Sequence, residues 1–317
     1  MKLVILDGYA SNPNDLSWEA LAEFGELTVY DRTPPELVIP RIGDAEIVLL
    51  NKTPIGAEVF AACPKLRLIS VLATGYNIID LTAAAAHGVT VCNVPNYSTH
   101  AVAQMTFALL LELCHHVGAH SRAVFDGQWQ NAPDFCFWNT PLIELAGKTM
   151  GIVGYGAIGH AVAATAQTFG LSLLISSRRE KPVPEGARFV PLKELLTHSD
   201  IISLHCPQNA DNLRMINAEA LGKMKDSAIL LNTARGGLID EAAVADALKS
   251  GKLLGYAADV VSQEPISADN PLLSAPNCIL TPHIAWAPQE TRRRLHRIAA
   301  ENVRQFLAGT PQNVVTA

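Results

Sequence analysis

Met150-Gly151-Ile152-Val153-Gly154-Tyr155-Gly156-Ala157-Ile158-Gly159, running into the helical stretch Ala161–Phe169, decides how this chain is read. A short apolar strand ends in glycines spaced G-x-G-x-x-G, and a helix opens at once. The first glycine makes a tight turn, and the second lets backbone approach a pyrophosphate. The third allows close helix–strand packing, while the helix N-terminus faces negative charge. The spacing alone is common in glycine-rich turns. With this strand before it and this helix after it, the pattern predicts a dinucleotide cradle formed by Gly154, Tyr155, Gly156, Ala157, Ile158 and Gly159.

The next strand tests which dinucleotide is meant. An NAD site places Asp or Glu about 20 residues on, against the ribose 2′-hydroxyl. Here the strand end reads Ile175-Ser176-Ser177-Arg178-Arg179, with Ser177 where the acid belongs. A carboxylate would repel a 2′-phosphate, whereas guanidinium groups bind one through charge-assisted contacts. Ser177, Arg178 and Arg179 therefore favour NADP(H), with NAD(H) remaining open and a solvated arginine pair as the alternative.

Working outward, apolar runs alternate with amphipathic stretches along the whole chain, which predicts an α/β protein with parallel sheet. Before the glycine turn, strands are expected at Leu3–Leu6, Leu27–Tyr30, Ile47–Leu50, Leu68–Val71 and Thr90–Cys92, with helices at Trp18–Phe24 and Leu81–His87. A nearly all-apolar helix follows at Ala101–Val117, of the kind buried between layers. An irregular, aromatic segment spans Phe125–Pro141, and loops of that length tend to be functional or to form interfaces. Beyond Thr149–Val153, strands are expected at Leu171–Ser176, Ile201–His205, Ala228–Asn232, Gly255–Asp259 and Cys278–Thr281. A final helix covers Pro288–Leu307, with Arg292, Arg293, Arg294 and Arg297 on its polar side.

Composition narrows the class of partner. The 317 residues suit roughly two domains, and 49% hydrophobic with 17% charged residues supplies ample core. A net charge of −6 argues against nucleic acid or an anionic membrane as partner. No run approaches the roughly 20 apolar residues that span a bilayer, and Met1–Gly8 is poor signal-peptide material. Six scattered cysteines without a Cys-x-x-Cys pair argue against a metal site or a disulfide framework. A cytoplasmic location is expected.

Three polar phrases close strands in the second half: Asn232-Thr233-Ala234-Arg235-Gly236-Gly237, Asp259-Val260-Val261-Ser262-Gln263-Glu264-Pro265 and Thr281-Pro282-His283-Ile284-Ala285. Ligands bind at the carboxyl ends of strands in doubly wound sheets, so these phrases can line one crevice. Their chemistry suits carbonyl reduction. An arginine clamps a 2-keto carboxylate, a histidine exchanges a proton with the oxygen, and a glutamate favours the imidazolium and fixes its tautomer.

In these phrases and the glycine turn, taken in order, the chain resembles the D-isomer-specific 2-hydroxyacid dehydrogenase family over nearly its whole length. The resemblance implies a Rossmann-type cofactor domain at residues 96–287, inserted in a flavodoxin-like substrate domain made of residues 1–95 and 288–317. Both are doubly wound parallel-sheet domains. It further implies Arg235 as substrate anchor, Glu264 as partner acid and His283 as proton donor. Asp259 would lie at the nicotinamide end with Thr233 and Ala234 beside it. Cys206 and Pro207 would lie near the adenosine, and Thr106 would face the cofactor. Family members are usually homodimers.

Within the family, Val71–Asn77, Asn93–Thr99 and Asp134–Trp138 look most like the glycerate dehydrogenase or hydroxypyruvate reductase branch, as does Val260–Pro265 followed by Asn270–Leu273. Thr74 and Gly75, on a strand-to-helix turn, can offer amides to a carboxylate. Asn51 and Lys52, at another strand end, can reach a distal hydroxyl. Glyoxylate would also fit. The alternatives are a reductase of another 2-keto acid and a dinucleotide-sensing, corepressor-like protein without turnover.

Overall fold

The computed structural model describes residues 1–316; Ala317, which the sequence assigns to the substrate domain, lies outside the described residues. The chain forms two compact units. One joins Met1–Ser98 to the chain from Trp286 onward, and the other is Thr99–Ala285.

In the first unit, β1 (Lys2–Ile5), β2 (Glu26–Val29), β3 (Ile47–Leu50), β4 (Leu68–Val71) and β5 (Thr90–Cys92) form a parallel sheet in the order β2-β1-β3-β4-β5. This is the flavodoxin-like order, with its switch between β1 and β3. Every residue of β3 and β4 is buried, as befits parallel strands covered on both faces. One cover is the helix Gln289–Leu307. Its Leu295, Ala299, Ala300 and Val303 pack in one cluster with Leu3, Ile5, Ile47, Leu49 and Leu68. Arg293 and Arg297 are exposed, as the sequence suggests. Arg292 is not. Its guanidinium is buried and grips both oxygens of Asp15 at 2.6 Å, which holds that carboxyl down to about 2.

Beside that pair, His296 is buried, stacks on Trp18 at 4.2 Å between ring centroids and meets Ser11 Oγ through Nε2 at 3.1 Å. Burial, helped by the Arg292 charge and opposed by Asp15, pushes the imidazole from 6.5 down to about 4. Between those values the unfolded chain takes up a proton that the folded one refuses. Stability is therefore lost as pH falls through this window, by at most about 3 kcal/mol, and the loss stops growing below it. His296→Gln should flatten the dependence of Tm on pH over the same window. Equal slopes for the two proteins would show that His296 charges normally in the fold.

The second unit carries β6 (Thr149–Val153), β7 (Ser172–Ser176), β8 (Ala187–Phe189), β9 (Ile201–Leu204), β10 (Ala228–Asn232), β11 (Leu253–Ala258) and β12 (Cys278–Leu280), all parallel, in the order β12-β11-β10-β9-β6-β7-β8. From β8 to β11 this is the Rossmann order, extended by β12, and the topological switch lies between β6 and β9. Alternating residues feed separate cores. Leu173, Ile175 and Leu231 join one cluster, while Leu174, Leu204 and Leu230 join another.

The apolar helix runs from Thr99 to His115, burying Val102, Phe107, Leu110 and Leu113. It stops earlier than its composition suggests, because His116 adopts a left-handed φ of 45° and a second helix, Val117–Phe125, begins. Strand β8 is a feature the hydrophobic pattern does not show. Among the described residues no single helix is long and apolar enough to cross a membrane.

Candidate active site

At the switch point, β6 delivers Gly154 at a φ of 97°, a conformation that side chains rarely adopt. A Cβ there would stand 2.5 Å from the Cys206 nitrogen at the end of β9. Gly156 is the N-cap of the helix Ala157–Thr168, and a Cβ on it would meet nothing within 4 Å. The protein's own packing gives no reason for a glycine at that point. Open space before a helix N-terminus is what a pyrophosphate requires, so the turn fits a dinucleotide.

The flanks of the cradle are specific. Tyr155 is buried with its ring stacked on His160 at 3.7 Å, and its carbonyl accepts from Lys181 Nζ at 2.8 Å. Only its backbone borders the turn. Ser177 Oγ donates to Arg179 O at 2.6 Å, shaping the loop after β7. The side chains of Arg178 and Arg179 are exposed and, among the described residues, make neither hydrogen bond nor ion pair. At the end of β9, burial drives His205 down to about 3 and the Cys206 thiol up. Neither carries charge at neutral pH. Asn212 Nδ2 donates to Pro207 O at 2.8 Å and fixes the strand exit. Thr106 is fully buried, its hydroxyl shared between Val102 O at 2.8 Å and Thr233 Oγ1 at 3.0 Å. It braces the Thr233 turn from beneath.

The three polar phrases are tied into one body. The carboxylate of Glu264 accepts from His283 Nδ1 at 2.7 Å. That bond places the Nδ1 proton toward the acid and leaves Nε2 as the atom that exchanges protons. His283 itself sits at a φ of 55°. Asp259, buried at the end of β11, holds this bend by accepting from Thr281 Oγ1 at 2.6 Å, Ile284 N at 2.9 Å and Ala285 N at 2.7 Å. The sequence expects Asp259 at the nicotinamide end; here both of its oxygens accept from the His283 bend.

Asn232, fully buried, ties its own turn by donating to Arg235 O at 2.9 Å and accepting from Ala234 N at 3.1 Å. Arg235 is exposed, donates from Nη1 to Ala234 O at 2.7 Å and makes no ion pair among the described residues. The turn after it abuts the acid loop, since a Cβ on Gly236 would lie 1.9 Å from the Val261 carbonyl carbon. Glycine is needed for that approach.

In the first unit, the four expected substrate residues sit at strand ends. Asn51 is buried and donates through Nδ2 to Leu72 O at 2.6 Å, so its side chain is structural. Thr74 donates its hydroxyl to Val94 O at 2.9 Å. The amides of Thr74 and Gly75 donate to nothing among the described residues, which suits an anion. Sequence reasoning misses Asp7. Its buried carboxylate accepts from Asn51 N at 2.6 Å, Lys52 N at 2.7 Å, Thr53 N at 2.8 Å and Thr53 Oγ1 at 2.9 Å, which shapes the loop carrying Lys52. The available signal is an acid closing an apolar strand, as at Asp259.

Comparison with known proteins gives the same direction. The model for the D-isomer specific 2-hydroxyacid dehydrogenase, NAD binding domain, matches residues 107–285. A hydroxypyruvate reductase from Blautia hydrogenotrophica is 52% identical over 320 residues, covering 99% of each chain. A glycerate dehydrogenase from Methylorubrum extorquens is 42% identical over 295 residues, covering 92% of each. Among solved structures, an NADPH-dependent glyoxylate/hydroxypyruvate reductase from Sinorhizobium meliloti in complex with citrate matches with a TM-score of 0.85 at 26% identity, over 99% of this chain and 97% of that one.

Proposed function

The chain belongs to the D-isomer specific 2-hydroxyacid dehydrogenase family, as an NAD(P)-dependent oxidoreductase acting on the CH–OH group of a 2-hydroxy acid, and from that premise we propose that it reduces hydroxypyruvate to D-glycerate, accepts glyoxylate as a smaller substrate and prefers NADPH. The observation that carries the chemistry is the His283–Glu264 pair, with Nδ1 engaged at 2.7 Å and Nε2 uncommitted among the described residues. The names of the relatives from Blautia, Methylorubrum and Sinorhizobium support the substrate.

Arg235 binds the substrate carboxylate and polarises the keto oxygen with its unpaired guanidinium. The nicotinamide, when bound, supplies the hydride. His283 delivers a proton from Nε2 to the oxygen as negative charge grows there, and Glu264, bonded to Nδ1, holds the ring's orientation and tautomer. Asp259 keeps the His283 bend rigid. In the first unit, taken by itself, the Thr74 and Gly75 amides suit a carboxylate, and Lys52, on the loop shaped by Asp7, supplies a cation. NAD(P)H oxidation followed against hydroxypyruvate, glyoxylate and pyruvate tests this reading. A preference for pyruvate would overturn the substrate assignment.

The unpaired Arg178 and Arg179, with Ser177 in place of an acid, support NADPH. A charge-assisted contact contributes about 1.5–3 kcal/mol, or roughly 10- to 150-fold in kcat/KM between the cofactors. Ser177→Asp, or Arg178→Ala with Arg179→Ala, should shrink or reverse the ratio in side-by-side kinetics. A wild-type enzyme that prefers NADH would remove the assignment.

A homodimer is supported by the aromatic segment after the helix Val117–Phe125. Phe125 and Phe135 are each 88% exposed and Trp138 is 65% exposed, a cost that a second copy would relieve. The six cysteines are free thiols, which supports a reducing, cytoplasmic setting.

A further inference from the structure

Glu264 lies on a loop that is mostly exposed from Ser262 to Asp269, yet it must hold a histidine at hydrogen-bonding distance. A carboxylate outside the three polar phrases secures both ends of this loop. Glu241 opens the helix Glu241–Lys249, and its oxygens turn away from that helix. Oε1 accepts from Ser262 N at 2.7 Å, while Oε2 accepts from Ser262 Oγ at 2.6 Å and from Asn270 Nδ2 at 2.9 Å.

The helix does not need Glu241 as its cap, because Asp240 fills that role by accepting from Ala243 N at 3.2 Å. Asn270 closes the loop through its own Oδ1, which accepts from Leu272 N at 3.0 Å and leads into the buried Leu272. At the other end, Val261 presses on Gly236 and donates its amide to Glu264 Oε1 at 3.3 Å. The loop thus starts and finishes on one carboxylate, with Glu264 between.

We propose that Glu241 is a positioning residue for the proton-transfer pair: by fastening Ser262 and Asn270 it fixes the loop from which Glu264 orients His283. This rests on the reading of Glu264 and His283 as that pair. Without Glu241, the loop keeps its sequence and charge at Glu264 but loses three hydrogen bonds, so Glu264 spends less time at His283 Nδ1. His283 Nε2 is then less well aimed.

The test is kinetic. Misplacing a reacting group by about 1 Å can cost on the order of 100-fold, so Glu241→Ala should lower kcat for keto-acid reduction by roughly 10- to 100-fold. KM for the keto acid and NADPH affinity should each change by less than about 2-fold, since Arg235 and the cradle keep their contacts. Glu241→Gln is isosteric but offers one acceptor where three donors converge, and should lower kcat in the same way. Ser262→Ala, which removes only the hydroxyl contact and guards against misfolding, should give a smaller loss of kcat.

If Glu241 acts through Glu264, adding Glu241→Ala to Glu264→Gln should cost no more than about 3-fold further. Losses that multiply in the double variant, or an unchanged kcat in both Glu241 variants while Glu264→Gln lowers it, would overturn the proposal alone. A Glu264→Gln kcat equal to that of wild type would overturn the pair itself, and this role with it.

Discussion

Arg235→Ala is expected to reduce kcat/KM for keto-acid reduction by about 10²- to 10³-fold or more. Removing the charged partner of a desolvated carboxylate costs on the order of 3–5 kcal/mol, because the remaining charge is left uncompensated. The loss should fall on substrate binding and on turnover together, since the guanidinium is read both as clamp and as polariser of the keto oxygen. Arg235→Lys separates these effects by keeping the charge and losing the planar fork, and should recover only part of the activity. The Asn232 contacts hold the turn through backbone and Asn232 atoms, so the substitution leaves the local fold in place. Near wild-type kcat/KM in the alanine variant would remove Arg235 from the site.

The second large effect belongs to His283. General acid–base groups contribute typically 10²- to 10⁴-fold, and His283→Ala should lose activity within that range. Reduction needs a proton at Nε2 and oxidation of the hydroxy acid needs a free lone pair there, so the variant should lose activity in both directions. Near wild-type rates in either direction would assign the proton to another group.

Why these residues were legible, and others not, has a physical basis. Arg235, Glu264 and His283 follow apolar runs that can only be buried parallel strands, and side chains just past such strands stand where ligands bind. Their position could be read from local pattern. The residues that hold them could not. Asp7 reaches Asn51 and Thr53, Asp259 reaches Ile284 and Ala285, and Glu241 reaches Ser262 and Asn270. Each of these bonds spans twenty or more residues, a separation that no helical or strand period reports.

The same limit shaped the fold reading. Strand β8 is three residues long with only partial burial, and follows a proline-containing loop, so it carries too little pattern to be seen. The apolar helix ends before its pattern does because His116, whose left-handed backbone breaks it, lies in a sequence that suits continued helix. Arg292 falls on the polar side of the helix by pattern, yet its side chain is buried against the exposed Asp15. Helical position alone cannot foresee a partner so remote along the chain.

The helix Gln289–Leu307 supplies one wall of a core whose other members come from the first hundred residues. During synthesis, Leu3, Ile5, Ile47 and Leu68 emerge long before Leu295, Ala299 and Val303 exist. Thr99–Ala285 is by then complete and can form its own cores. The middle of the polypeptide therefore matures ahead of its beginning. Until the last helix leaves the ribosome, an apolar sheet face stays open to chaperones and proteases. A nascent chain stalled before Gln289 would present a finished nucleotide fold tethered to an unfinished one.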